Sequence, residues 1–530
     1  MLKTFACGVL AAMIACSGLT ARAGTPPDTL VEAWVIDDLV SLDPAEIFEA
    51  SSTEYLAQVY DRLIGYDRTD ASKLVPLLAE SWTVSDDART YTFRIRDGVK
   101  FHSGNPLTAK DAAWSLQRAV KLNLAPAYIV SQFGLTAENV DRMVTAPDDR
   151  TLVFRTDKAY APTFVLNCLT STVTAVVDSK LVQEHEANGD FGHDWLKTHS
   201  AGSGPFKLQS WKPNELLAFD RNDGYWQGQP GFHRVFIRHV PESSSRLLLL
   251  QKGDVDVARN LTPDQLKSLQ GNADITLEPV QKMSIFYVSF NVLHPPFDKP
   301  EVRQALKYLI DYDGIVATIM HGLATVHQSL VPAGMLGSID DAPFTLDVNK
   351  AKALLAQAGL PDGFKATMDV INQSPYIDIA QALQASFARA GVTLELIPGD
   401  ARQVLSKQRA RKHEVYIGRW GPDYEDPDSN AGTFAVNTDN SDATASKTQA
   451  WANGWQDAAM TADAQRATLE TDGAKRAQIY AELQRRHQQV SPFAFMFQLS
   501  EVIASRKTVQ GLTWSATYDR NQYWTGRKSP

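Results

Sequence analysis

The stretch from residue 366 to residue 396 constrains the fold more than any other part of the sequence. Met368 and Val370 alternate as in a short strand, and an alternating second strand begins at Val392. One helical stripe lies between them, formed by Ile379, Ala382, Leu383, Phe387 and Ala390 and closed by Gly391. Strand, helix and strand at this spacing predict a right-handed crossover and a parallel pair, so this half of the chain holds an α/β domain.

Other segments add helices and strands to both halves. Thr108 and Asp111 form a capping box that predicts a helix start, and Asp347 predicts another. Asp298 and Glu301 are predicted to cap a helix with a stripe of Val302, Ala305, Leu306, Leu309 and Ile310. Residues 91–95 alternate, meet Asp97-Gly98 and are followed by a second extended run to residue 101, which predicts a hairpin.

A chain of 530 residues is longer than one hydrophobic core supports, so two or three domains are expected. Its 44% hydrophobic and 21% charged residues are typical of a globular protein. No internal repeat and no Pro/Ser/Gly-rich linker marks a boundary between the domains. Composition alone therefore does not divide the chain.

The N-terminus has the layout of a cleaved secretory signal. Lys3 precedes an apolar run from Phe5 to Leu19, and the triplet Ala21-Arg22-Ala23 predicts cleavage after Ala23. The alternative is a lipoprotein signal acylated at Cys16. Met13 argues against it, because methionine fits poorly at the position three residues before such a cysteine. No later segment has about 18 uncharged apolar residues in a row, so we expect a soluble, periplasmic mature protein.

The charge of the chain argues against a nucleic-acid partner. The formal net charge is −9, and loss of residues 1–23 removes Lys3 and Arg22 without any acid, which leaves −11. Of the three cysteines, only Cys168 lies beyond the signal segment. A single cysteine forms no internal disulfide, so stability has to come from a large core.

One long motif resembles a known family. Ser203 to Trp226 reads SGPFKLQSWKPNELLAFDRNDGYW and resembles a stretch of the family 5 extracellular solute-binding proteins, the oligopeptide and dipeptide binders of ABC importers. Further matches in family order are SLDP at 41–44, LAESW at 78–82, TYTFRIRDGVKFHSGNPLTAKDAAWSL at 90–116, GDVDV at 253–257 and FNVLHPPFDKPEVRQAL at 290–306. Most of these motifs carry turns and helix starts, so they identify a scaffold and not a ligand.

The resemblance implies an α/β, two-lobed periplasmic binding protein fold of the large class, with an extra subdomain in lobe I. Lobe I would comprise residues 24–282 and 490–530, and lobe II residues 283–489. The apolar extended runs 285–290 and 493–498 would be the hinge strands. Such a protein closes its lobes on a ligand.

The resemblance also points to ligand-binding residues around residue 423. The segment RWGPDYEDP at 419–427 is similar to a loop of peptide binders whose Asp pairs with the ligand's ammonium group, and that position is Asp423. Trp420 and Tyr424 would supply aromatic walls. An Asp in such a loop also often caps its own turn, which is the alternative interpretation.

Two other places are candidates for ligand contact. The family's cleft-lining strand after SLDP falls on Phe48, Glu49, Ala50 and Ser51, where Glu49 is either a partner for a second cation or a surface acid. Dipeptide binders hold the ligand's carboxylate with an Arg before the helix near residue 376, but this sequence has no Arg from 366 to 387. Arg419 is either the substitute, because its planar fork suits a carboxylate, or a surface residue. The missing Arg argues against a standard dipeptide and leaves longer peptides, opine-like amino-acid conjugates and other amines as ligands.

We therefore expect a non-enzymatic, monomeric binder of a small amine-bearing, peptide-like ligand, without cofactor or metal, that serves an inner-membrane permease and its cytoplasmic ATPase. Residues 184–199 contain three histidines, but their spacing fits no zinc template. No P-loop ending or G-x-S-x-G elbow occurs. A secreted hydrolase and a periplasmic sensor or chaperone are the alternatives.

Overall fold

The structure is a computed structural model that describes residues 24–67, 73–444 and 446–529. The predicted signal segment 1–23, with Cys16, lies outside the described residues. Among the described residues, no helix is both long enough and apolar enough to cross a bilayer.

The elements are numbered in chain order. The strands are β1 (Thr29–Trp34), β2 (Ile64–Tyr66), β3 (Leu74–Pro76), β4 (Ala79–Val84), β5 (Thr90–Ile95), β6 (Val144–Asp148), β7 (Thr151–Arg155), β8 (Phe206–Lys212), β9 (Leu216–Arg221), β10 (Arg234–His239), β11 (Val257–Ala258), β12 (Ile275–Phe290), β13 (Ala324–Val326), β14 (Lys365–Ile371), β15 (Thr393–Gly399), β16 (Val415–Trp420), β17 (Phe493–Arg506), β18 (Val509–Gln510) and β19 (Arg527–Lys528). The helices are α1 (Ala50–Val59), α2 (Ala109–Leu122), α3 (Tyr128–Ser131), α4 (Val140–Met143), α5 (Pro162–Cys168), α6 (Ser179–Glu184), α7 (His193–Leu196), α8 (Ser243–Lys252), α9 (Pro263–Leu269), α10 (Pro300–Lys307), α11 (Tyr312–Thr318), α12 (Val348–Gln357), α13 (Tyr376–Ala388), α14 (Ala401–Arg409), α15 (Pro427–Phe434), α16 (Gln449–Ala452), α17 (Ala458–Ala467) and α18 (Gly473–Val490).

Within the described residues, the largest sheet runs β15-β14-β16-β12-β17-β11-β1-β10-β9-β8, with β13 beside β17. Its centre is the antiparallel pair of the two longest strands, β12 and β17. On one side lie strands from residues 29–258, and on the other lie strands from residues 365–420. The two runs predicted as hinge strands belong to this central pair, so the confirmed α/β fold joins its two halves through them.

The crossover predicted from the sequence is present. The strands β14 and β15 are parallel, with Met368 opposite Leu396, and α13 connects them. The apolar stripe of α13 packs into a core with both strands, where Ile379 and Leu383 are fully buried. The local period of 3.6 and the alternation of 2 were therefore sufficient to predict this unit.

The predicted hairpin at residues 91–101 is wrong. The strand β5 pairs with β4 and β7 in a four-stranded antiparallel sheet, β4-β5-β7-β6, while Lys100 makes only a single bridge to Pro106. Tyr91 and Phe93 are fully buried beneath α2 in the core of this subdomain. The turn at Gly98 is real, with φ of 78°, but β5 pairs with the strand that precedes it, β4, and with the more distant β7.

The helix caps are confirmed at two of three places. Thr108 and Asp111 form the capping box of α2, and Asp347 caps α12 through the amide of Lys350. The helix predicted to start at Asp298 instead begins at Pro300, which takes the first helical position because its missing N–H costs nothing there. It ends at Lys307, before the last two residues of the predicted stripe.

The pairing of the two central strands, β12 and β17, is interrupted near the middle of β12. Its register shifts between Gln281 and Ile285, which leaves residues 282–284 out of regular pairing. The amide of Gln498 fills the gap, since its Nε2 donates to the Lys282 carbonyl (3.0 Å) and its Oε1 accepts from the Ala333 amide (2.8 Å). An irregularity in both connecting strands suits a hinge; the lobe boundaries at 282 and 489 stay predictions.

The Gly-Ser-Gly-Pro motif is explained by close backbone contact. A Cβ on Gly202 would lie 2.0 Å from the Val59 carbonyl oxygen, which belongs to the backbone of α1 and has little room to move. We expect Gly202→Ala to destabilise the protein by about 1–3 kcal/mol or more through overpacking. The control is Gly432→Ala in α15, where nothing lies within 4 Å and helix propensity favours alanine. Calorimetric melting of both variants checks this, and an unchanged Tm for Gly202→Ala would contradict it.

Candidate functional site

A cavity of about 370 Å³ lies where the two halves of the main sheet meet. This volume is within the ~300–1,000 Å³ typical of small-molecule sites. Its walls are formed by Asp38 and by residues of five stretches of the chain: 48–50 and 53, 170–172, 282–284, 419 and 421–425, and 516–519. Stretches far apart in sequence thus converge on one cavity beside the interrupted strand pair.

Asp423 lines this cavity from the loop after β16. Its backbone amide donates to the Ser429 hydroxyl (2.9 Å), and its Oδ2 accepts a hydrogen bond from the Tyr128 hydroxyl (2.5 Å). Burial raises the pKa of Asp423 to about 6, against the opposing effect of the Tyr128 hydrogen bond. Among the described residues it has no cationic partner, so its second oxygen is open to a donor in the cavity.

Arg419 lines the same cavity as a cation without a partner. Its side chain is exposed to the cavity and makes no hydrogen bond or ion pair with any described residue. Burial lowers its pKa, but surrounding groups that include Glu501 and Asp38 outweigh this and raise it, so the guanidinium is charged. A charged planar donor with nothing to bind is suited to a carboxylate.

The aromatic residues beside Asp423 have different surroundings. Trp420 follows Arg419 on β16, so its side chain lies on the opposite face; it is absent from the cavity wall and packs edge-on against Phe434, 5.9 Å away. Tyr424 does line the cavity and is 6% exposed. Its ring lies 6.0 Å from that of Phe164. Strand alternation thus separates the two aromatic residues that the motif placed together.

The stretch after SLDP is not a strand, so that part of the expectation is wrong. Glu49 is the N-cap of α1, and Ala50 and Ser51 begin the helix. Phe48, Glu49 and Ala50 line the cavity, whereas Ser51 is 2% exposed and its hydroxyl donates to Asp38. Because the first amides of a helix point outward, this segment offers a helix start to the cavity and not a strand edge.

Three groups in or beside the cavity were not identified from the sequence. Lys282 donates to the Ser515 carbonyl (2.7 Å), lies 3.5 Å from Glu501 and sits 4.2 Å above the ring of Tyr518. Tyr518 and Lys282 line the cavity, and Tyr128 reaches Asp423 from α3. None of them lies in a motif of its own, since only the packing of distant segments brings them to the cavity.

The histidine-rich segment does not gather around a point. The rings of His185 and His199 both stack on the indole of Trp195, with ring centroids 4.3 and 4.8 Å away. His193 Nδ1 is 2.8 Å from Asp43, which is also held by Arg118. Among the described residues, no group of three or more His, Cys, Asp or Glu side chains has the arrangement of a metal site.

The cavity can bind an amine and a carboxylate at once. Asp423 presents a carboxylate oxygen and Arg419 presents a guanidinium, and each lacks a counter-ion among the described residues. Asp38 and Glu49 also line the cavity, and neither forms an ion pair with another described residue. Charges inside such a cavity bind complementary groups more strongly than charges on the open surface do.

Comparison with protein families identifies the scaffold. Residues 73–442 match the model of the bacterial extracellular solute-binding proteins, family 5. The Probable D,D-dipeptide-binding periplasmic protein DdpA of Escherichia coli (strain K12) is 29% identical over 424 residues, which are 79% of this chain and 80% of that protein. The glutathione-binding protein GsiB of Escherichia coli O157:H7 is 30% identical over 398 residues, which are 75% and 74% of the two chains.

A solved structure gives the same result for the fold. The ABC transporter-associated periplasmic binding protein DppA from Helicobacter pylori, in complex with the peptide STSA, superposes with a TM-score of 0.78 at 25% identity. The match covers 96% of this chain and 98% of that one. The two-half α/β architecture is therefore shared over almost the whole length.

Proposed function

The chain belongs to the bacterial extracellular solute-binding proteins of family 5, and on this premise we propose that it is the periplasmic substrate-binding component of an ABC importer for a small, zwitterionic, peptide-like ligand. Family 5 proteins are non-catalytic components of transport systems, so this chain is a binding protein and not an enzyme. The observation that carries the ligand class is the cavity's unpaired Asp423 and Arg419.

Asp423 binds the ligand's ammonium group. The Tyr128 hydroxyl occupies Oδ2, which fixes the carboxylate and leaves Oδ1 for the ligand. An ionised carboxylate in a partly buried position forms a charge-assisted hydrogen bond that is stronger than one between neutral groups. Tyr424 and Phe48 supply the apolar wall beside it.

Arg419 binds the ligand's carboxylate. The relatives support this ligand class, because a D,D-dipeptide and glutathione, named for DdpA and GsiB, both carry a free amine and a carboxylate. The ligand would span the cavity between the two groups. A molecule with only one of the two charges would leave the other protein charge desolvated and unpaired, which disfavours it.

Closure of the two parts of the chain around the ligand prepares the ligand for delivery to the permease. The ligand is held between parts of the chain that lie on either side of the central strand pair, so it stabilises the form in which these parts are closed. The closed form then docks on the inner-membrane permease, whose cytoplasmic ATPase drives import.

Titration calorimetry with modified ligands tests the proposal. The panel is L-alanyl-L-alanine, D-alanyl-D-alanine and glutathione, each also with its amine acetylated. We expect at least one free-amine compound to bind and its acetylated form to bind about 30-fold more weakly or worse, because acetylation removes the cation that pairs with Asp423. Equal binding of the two forms would contradict the proposal.

Arg419 is tested by the variant Arg419→Met, which keeps an unbranched side chain and removes the guanidinium. We expect the affinity for the dipeptide to fall by about 10- to 100-fold, the value of a charge-assisted hydrogen bond of ~1.5–3 kcal/mol. Wild type should prefer the free acid to its C-terminal amide, and the variant should not distinguish them. Arg485→Met, in an exposed pair with Asp341, is the matched control. A variant that still prefers the free acid would contradict the role of Arg419.

A further inference from the structure

The loop of residues 423–426, here called the closing loop, belongs to one half of the molecule and is held by the other. It follows β16, yet each of its four residues contacts a residue before 177 or after 515. A loop that lines the ligand cavity on one side is thus docked, on its other side, against the part of the chain that has to separate from it when the cavity opens.

Tyr424 provides the apolar part of this docking. It is 6% exposed and belongs to the hydrophobic core formed otherwise by residues 45–176, including the subdomain with β5 and α2. Its hydroxyl donates to Asp428 Oδ2 (2.9 Å), so the ring carries no unsatisfied polar group into that core. Burial of a large aromatic ring favours the docked loop.

Asp426 provides the first polar contact. Its two oxygens accept from the NH1 and NH2 of Arg476 (2.9 and 2.6 Å), which lies on α18 in its own half of the molecule. Its Oδ2 also accepts from Nδ2 of Asn167 across the boundary (3.0 Å). Because the Arg476 pair remains intact when Asn167 leaves, opening does not strand a buried charge.

Glu425 provides the second polar contact. Its Oε2 accepts from Arg520 NH1 (2.8 Å), and its Oε1 accepts from the Thr517 hydroxyl (2.9 Å). The Glu425 and Arg520 side chains are only 8% and 10% exposed, so the pair is poorly screened by water. Its partners come from the C-terminal stretch, which is bound to the opposite half through Arg62, whose guanidinium donates to the side chain (2.5 Å) and the carbonyl (2.8 Å) of Asp519.

We propose that the closing loop is a latch that holds the closed form in the absence of ligand and sets the rate at which bound ligand leaves. The inference rests on the proposed function, because it assigns ligand binding to Asp423 of the same loop. Undocking Glu425 and Asp426 moves Asp423 away from Tyr128 and opens the cavity. Since Asn167 and Arg520 do not line the cavity, they act on release without touching the ligand.

The variants Arg520→Met and Asn167→Ala test the latch, with Arg485→Met as the control. For the tightest-binding dipeptide, stopped-flow fluorescence should show a dissociation rate about tenfold or more higher for Arg520→Met, and a smaller rise for Asn167→Ala. The association rate should rise as well, because the ligand-free variants spend more time open to the ligand. Small-angle X-ray scattering of the ligand-free variants should show a larger radius of gyration than that of wild type.

Each outcome decides a separate point. Unchanged dissociation rates together with unchanged ligand-free scattering would overturn the latch. If no dipeptide binds wild type, the proposed function fails, while the ligand-free scattering still supports or overturns the latch by itself. Circular dichroism and the Tm of each variant show whether it is folded. If Arg520→Met does not fold, the dissociation rate and scattering of the milder variant Asn167→Ala decide whether the latch exists.

Discussion

Replacing Asp423 by asparagine is expected to weaken binding of a free-amine dipeptide by at least about 30-fold, as measured by titration calorimetry. Asparagine keeps the shape of the side chain and still accepts the hydrogen bond from Tyr128, but it has no charge to pair with an ammonium group. Truncating one partner of a desolvated charge pair typically costs about 2–5 kcal/mol, which sets this scale.

A cycle with the acetylated ligand makes the test specific. Asp423→Asn should lose affinity for the free amine only, so that the free and acetylated ligands bind the variant about equally. Asp194→Asn, at an acid whose side chain is 78% exposed, should leave both affinities unchanged. An equal loss for the free and the acetylated ligand would mean that Asp423 supports the cavity and does not bind the amine.

The same carboxylate makes binding depend on pH. Burial raises the pKa of Asp423 to about 6 in the ligand-free protein, and an ammonium beside it would lower that pKa. Affinity is then full above the ligand-free pKa and is lost as the pH falls through it, by up to about tenfold per unit. We expect calorimetry between pH 5 and 8 to show this decline for wild type and to show none for Asp423→Asn, and a decline that persists in the variant would assign the titration to another group.

Replacing Arg259 by leucine is expected to cause the largest loss of stability of any single substitution considered for this chain. Its guanidinium is completely buried and binds three carboxylates, those of Glu501 (2.8 Å), Glu54 (2.6 Å) and Glu32 (3.2 Å). The indole of Trp34 lies 3.9 Å away, so water cannot take its place. Leaving buried charges uncompensated typically costs about 3–5 kcal/mol, and we expect a fall of several degrees in Tm.

Lowering the pH should rescue this variant in part. Burial raises the pKa of Glu32 to about 7 even with Arg259 opposing it, and removal of Arg259 raises it further. A carboxyl whose folded-state pKa is raised costs stability above that pKa and regains it as the pH falls. The deficit in Tm should therefore shrink from pH 8 to pH 5. The control Arg485→Leu, which removes an exposed ion pair with Asp341, should melt within about 1 °C of wild type. A Tm of Arg259→Leu equally close to that of wild type would contradict the account.

The parts of the fold that could be predicted from the sequence are those set by local periodicity. The crossover at 366–396 and the capping box at Thr108 need only neighbouring residues, and both are confirmed. The strand β5 pairs with β4 and with the distant β7, and a helix begins at Ala50, so alternation and analogy gave the wrong structure at these two places. Long-range pairing leaves no periodic signal in the strand that it uses.

The candidate site shows the same division. Asp423 and Arg419 could be found because they share one loop motif, and both line the cavity. Trp420 was chosen for its chemistry, but the alternation of β16 turns it toward Phe434. Tyr128 lies almost 300 positions from Asp423 and has no motif, so only the folded chain could show that it holds the carboxylate.

The most direct test of the central claim is native mass spectrometry of the purified protein, before and after mild denaturation, because a closed binding protein often retains its ligand. We predict a released small molecule that carries both a free amine and a carboxylate. A retained ligand without an amine would contradict the role of Asp423, and one without a carboxylate would contradict the role of Arg419. An empty protein whose Tm no member of the dipeptide and glutathione panel raises would contradict both.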